Sequence, residues 1–94
     1  MYRKAIVLDN TEFRELVSDL GRMMREEFAD RYAEEITLQE MEEFLSVYFE
    51  DLLDEYDVDE AMIFVGGKWR EVDSGALFVE LVNEQYGGLG VFAR

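Results

Sequence analysis

Apolar and polar residues alternate along this chain in two distinct rhythms. Arg3 to Leu8 ends in an unbroken β-branched and aliphatic run, Ile6-Val7-Leu8, which reads as a short buried strand. Asp9, Asn10 and Thr11 follow and offer helix-capping oxygens. From Glu12 to about Ala33, Phe13, Leu16, Val17, Leu20, Met24, Phe28 and Tyr32 recur at steps of three and four, one stripe of an amphipathic helix. Its outer face mixes signs, with Arg14, Arg22, Arg25 and Arg31 among acids, and Gly21 weakens it by about 1 kcal/mol relative to alanine.

Thr37-Leu38-Gln39-Glu40 is a capping box and opens a second helix, expected from Leu38 to about Tyr56. Leu38, Met41, Leu45, Tyr48, Leu52 and Tyr56 form its apolar stripe, widened by Phe44, Phe49 and Leu53. The opposite face carries Glu40, Glu43, Glu50, Asp51 and Asp54, with Val47 the one apolar residue near its centre.

The rhythm then shortens. Ala61 to Val65 and Lys68 to Val72 read as two strands joined by Gly66-Gly67, a pair suited to a two-residue turn that needs positive φ. Asp73 or Ser74 caps a third helix from Gly75 to about Gln85, carrying Leu77, Phe78, Leu81 and Val82; Phe78, Val79 and Val82 would also suit a strand. Leu89 to Ala93 is expected as a last strand. The order β-α-α-β-β-α-β predicts one α+β domain over residues 1–94, with a mostly antiparallel sheet packed by helices.

Composition narrows the chemistry. The 94 residues hold no Cys, His or Pro, so disulfides, thiolate and imidazole metal sites and the commonest catalytic base are all absent. Ser18, Ser46 and Ser74 have no base beside them, and no Gly-rich phosphate loop precedes a helix. An EF-hand loop starting at Asp57 has Asp59 at its third position, then Ala61 and Met62 where a ligand and the turn glycine belong. No catalytic, cofactor or metal site is expected, and Trp69, Phe64, Tyr86 and Phe92 are read as core. The opening apolar stretch is shorter than that of a signal peptide, and no run is long enough for a membrane span, so a cytoplasmic location is expected.

Charge changes the picture most. The net charge is −14, from 23 acids and 9 bases. Between Tyr32 and Gly67 there is no Lys or Arg, and that window holds twelve acids, so −12 of the −14 lies there. Ten of the twelve fall in residues 40–60; on one continuous helix that is one charge per ~3 Å, close to the ~3.4 Å spacing along a strand of duplex DNA. A partner surface of Glu40, Glu43, Glu50, Asp51, Asp54, Glu55, Asp57, Asp59 and Glu60 follows, directed at a basic protein. Ordinary solvated surface and halophilic adaptation are the plainer readings of the same charge. Direct nucleic-acid binding is disfavoured, because phosphates would be repelled.

In size, α+β pattern and the basic-free window Tyr32–Gly67, the chain resembles the small acidic inhibitors made by phages and plasmids, DNA mimics of the anti-CRISPR and anti-restriction class. That resemblance implies a non-enzymatic inhibitor filling the positive nucleic-acid groove of a host defence complex. The opening strand and helix, Lys4-Ala-Ile-Val and then Thr11 onward, are also loosely similar to barstar-type ribonuclease inhibitors, which implies an immunity protein or antitoxin facing a basic nuclease. A plain adaptor or assembly subunit is the third alternative.

Overall fold

The structure is a computed structural model and describes residues 3–31 and 35–89. Its elements are β1 (Ala5–Leu8), α1 (Asn10–Glu27), α2 (Leu38–Glu55), β2 (Glu60–Val65), β3 (Lys68–Val72) and α3 (Gly75–Tyr86). Apart from Leu89, the expected last strand lies outside the described residues.

The sheet is mixed, which corrects the mostly antiparallel expectation: the order is β1-β2-β3, with β1 parallel to β2 and β2 antiparallel to β3. The cause is the pair of helices between β1 and β2. A two-helix crossover returns the chain to the end where β1 began, and the next strand then runs parallel. Asp59 and Glu60 both donate their backbone N–H to the Lys4 carbonyl, which sets the register Ala5 opposite Glu60. Gly66 and Gly67 close the β2–β3 hairpin at φ 59° and 79°, where a side chain would be strained.

Each helix starts on a side-chain cap. Asp9 caps α1 and exchanges hydrogen bonds with Glu12, Thr37 does the same with Glu40, and Ser74 caps α3, which is a helix throughout. α1 ends at Glu27, about six residues before the expected end. Its last residues, Glu26 and Glu27, oppose the negative end of the helix dipole, and Phe28 turns off the axis to meet Phe44 at 6.3 Å.

All three helices cover one face of the sheet. Phe13, Phe49 and Phe78 join them: Phe49 and Phe78 stack at 4.6 Å, and Phe13 meets Phe78 edge-on at 6.4 Å. Ala61, Ile63, Val65 and Val72 complete the core from the strands. This packing recentres two stripes. On α2 the buried line is Met41, Leu45, Phe49 and Leu53, while Leu38 and Tyr56 at its ends are exposed. On α3, Val79 is buried and Leu77 is not.

The other sheet face is open among the described residues. It carries Val7, Met62, Phe64 and Trp69, and Trp69 is 51% exposed against Phe64 at 5.1 Å. The expected core role of Trp69 is therefore corrected. Phe64 is half-buried and Tyr86 exposed, while Phe92 lies outside the described residues. No helix is long and apolar enough to cross a membrane among the described residues.

Candidate functional site

α2 is the element that holds the acidic surface, and its 18 residues carry seven carboxylates along about 27 Å. The expected rod of ten does not form. The helix stops at Glu55, Asp57 takes a left-handed φ of 52°, and the chain turns back to enter β2. Asp57, Asp59 and Glu60 thus leave the helix line.

The acidic segment also loses charge at both ends to bases from outside the window, Arg31 next to it in sequence and Lys4 far from it. At one end Arg31 grips both oxygens of Glu40, with one bond at 3.0 Å, and bonds the Glu35 carbonyl. Arg31 and the Thr37 cap together hold the Glu40 carboxyl down to about 2. At the other end the Lys4 ammonium lies 3.5 Å from Asp57, and the Lys4 backbone N–H donates to Asp59 at 3.0 Å.

Glu60 is 7% exposed. Arg3 approaches it at 4.0 Å, Glu71 at 3.8 Å and Asp73 at 3.7 Å, one cation among three carboxylates. Hydrogen bonding to the Glu71 carboxyl, together with burial, pushes the Glu60 carboxyl above the usual range. Glu60 is thus a buried structural group and not an open contact surface. Among the described residues no group of three acid side chains converges as a metal site.

What remains together is Glu43, Glu50, Asp51, Asp54 and Glu55, all exposed, along about 18 Å of α2. None forms an ion pair among the described residues. Glu43, Glu50 and Asp54 share one row, and Val47, 50% exposed, sits within it. Four of the five lie in the last six residues of the helix, where the carbonyl ends already carry partial negative charge and the last turn holds no base.

Sequence reasoning missed the part played by α1. At about 100° per residue, Glu12, Glu15, Asp19 and Glu26 fall within about 60° of one another, with Arg22 directly beside them and Arg14 and Arg25 further round the outer face. The outer face is mixed in sign, as expected, and Arg22 pairs with Asp19 at 3.4 Å. The acidic flank is the one turned toward α2: Glu12, Glu15 and Asp19 line a groove with Leu16, Leu52 and Tyr56. A second groove, between Met23 and Phe28 of α1 and Phe44, Val47 and Tyr48 of α2, is bordered by Glu27, Glu43 and Asp51. A helical wheel of α1 shows that Glu12, Glu15, Asp19 and Glu26 share one flank; that the flank meets α2 is set by packing.

No family model, curated protein or solved structure matches the chain.

Proposed function

We propose that this protein is a non-enzymatic inhibitor that binds a basic, nucleic-acid-binding protein through the acidic surface of α2. The observation that carries this reading is the run Glu50, Asp51, Asp54 and Glu55 at the negative end of a helix dipole, with no base in the last turn. A helix arranged so costs stability in the free protein, and a Lys/Arg-lined groove relieves that cost on binding. The same field steers a cationic partner to the site and speeds association at low salt. Such a surface competes with phosphates for the partner's groove, in the manner of DNA-mimic anti-CRISPR and anti-restriction inhibitors acting in a host cytoplasm. An immunity protein opposing a basic nuclease uses the same electrostatics, and the identity of the partner tells the two apart.

The test is a gel-shift titration with the partner recovered from host lysate and its labelled nucleic acid. The nucleic acid is displaced competitively at near-stoichiometric amounts of inhibitor. Glu43→Gln with Glu50→Gln and Asp54→Asn weakens displacement strongly. Glu80→Lys with Gln85→Lys on α3 makes the same change of three charges and leaves it nearly intact. Equal effects from both sets would reduce the reading to net charge alone, and an undiminished ternary complex would refute the mimic.

The adaptor reading has one observation of its own, the open sheet face with Val7, Met62, Phe64 and Trp69. Partner capture that is insensitive to salt and lost in Trp69→Ser would favour it.

A further inference from the structure

The acidic row does not face solvent alone. It borders a trough along the seam of α1 and α2, built from two grooves of about 450 and 420 Å³. The first is floored by Leu16 and Leu52 beside β1, the second by Phe44 and Tyr48 with Met23 and Phe28. They lie one after the other along the seam, the first bounded on α2 by Leu52 and Tyr56 and the second by Tyr48 and Asp51, one helical turn away. From Leu16 to Phe28, the C-cap of α1, is twelve residues, about 18 Å, or just over three turns of a helix laid alongside.

The two sides of this trough carry charge of one sign. Glu12, Glu15, Asp19 and Glu27 stand on the α1 side, Glu43 and Asp51 on the α2 side, and no base lines either groove among the described residues. A row of carboxylates meant only to replace phosphates has no use for half-buried Phe and Met beside it. A nucleic acid would be repelled from such rims, and a second copy of this chain, at −14, would bring carboxylates against carboxylates.

We infer that the α1–α2 trough is the docking site of a cationic amphipathic helix of the partner, its apolar stripe on the trough floor and its Lys and Arg flanks against the two acidic rims. This is recognition of a helix in a groove, with apolar anchors at i, i+4 and i+7 and charge pairs fixing the register. It rests on the reading that the partner is basic, and adds which part of the partner is held and why apolar residues take part.

The probe is a synthetic 18-residue peptide of Leu and Lys, ordered so that Leu forms one helical stripe. Its controls are a scrambled peptide of the same composition and an oligolysine of the same length. Calorimetry at physiological salt should show the amphipathic peptide binding at least tenfold tighter than the scrambled one. Amide shifts in NMR spectra should concentrate between Leu16 and Phe28 and between Phe44 and Leu52. Met23→Ser with Val47→Ser should weaken the amphipathic peptide about tenfold and leave oligolysine unchanged. Should that double variant fail to fold, Val47→Ser alone, at a half-exposed position, should still weaken it about threefold. Equal affinity for ordered and scrambled peptides, or shifts spread over exposed acids without the seam, overturns the trough and leaves the acidic-surface reading standing. Failure of all three peptides to bind overturns both.

Discussion

Gly75, the first residue of α3, lies against the backbone of Ser46 in the middle of α2: a Cβ built on it would come 2.5 Å from the Ser46 carbonyl oxygen and 2.7 Å from its Cα. Backbone atoms in a helix cannot swing aside. Gly75→Ala therefore pushes α3 away from α2 and loosens the Phe49–Phe78 stack. The expected loss is about 1–3 kcal/mol, seen as a lower urea midpoint and as roughly 4–8 °C of melting temperature per kcal/mol. Removing the Ser46 hydroxyl in Ser46→Ala does not rescue it. An unchanged midpoint for Gly75→Ala would mean that the helices cross further apart.

Glu40 and Arg31 make acid stability pH-dependent in one direction. The folded Glu40 carboxyl, held at about 2, binds its proton less tightly than the unfolded one at 4.5. Its contribution is complete above pH 4.5 and is lost as the pH falls toward 2. Glu40→Gln keeps the capping-box shape and removes only the charge. Thermal melts should show it a few degrees below wild type at pH 7, with the two curves meeting near pH 2. A constant gap across that range would exclude the ion pair as the cause.

Glu60 acts with the opposite sign. Its carboxyl is raised in the fold, so the folded state binds the proton more tightly and stability declines as the pH rises from the ordinary carboxylate value through the raised one. Glu60→Gln is neutral at every pH and should melt higher than wild type at pH 7, with little difference at pH 4. If it melts lower at neutral pH, attraction to Arg3 outweighs the crowding with Glu71 and Asp73.

The C-terminal turn of α2 should be easy to stabilise and costly to alter for function. Asp54→Lys and Glu55→Lys place cations at the negative end of the helix dipole, where each contributes about 0.3–1 kcal/mol. Denaturant unfolding at low salt checks this. Wild-type melting temperature should also rise from low to moderate NaCl, as screening reaches the carboxylate row. The double variant should rise less. A flat wild-type curve would mean that the five carboxylates repel one another weakly.

Local rules carried much of the fold. The capping box at Thr37–Glu40, the Gly66-Gly67 turn and the first two helices were legible because each depends on neighbours within four residues, whereas the apolar residues of α3 suited a strand as well. The acidic face of α2 was legible for the same reason, down to Val47 standing in its middle. The order of the six described elements also followed, since apolar rhythm changes where a helix gives way to a strand.

Pairing across the chain was not legible. That β1 runs parallel to β2, that Met41, Leu45, Phe49 and Leu53 form the buried line of α2, and that Trp69 stays half in water depend on which faces meet, which no local period encodes. The same holds for the site. Nine acids were expected to act as one surface, but Arg31, Lys4 and Arg3 reach Glu40, Asp57 and Glu60 from outside the basic-free window. Only packing selects which carboxylates a distant base can touch. By itself the sequence determined that α2 is acidic toward both ends and uncompensated along its own length. Tertiary structure decided that five carboxylates there make no ion pair among the described residues, and that acid-rimmed apolar grooves lie beside them. The reason is range: charge and periodicity are properties of a segment, whereas compensation and concavity exist only where two segments are brought together.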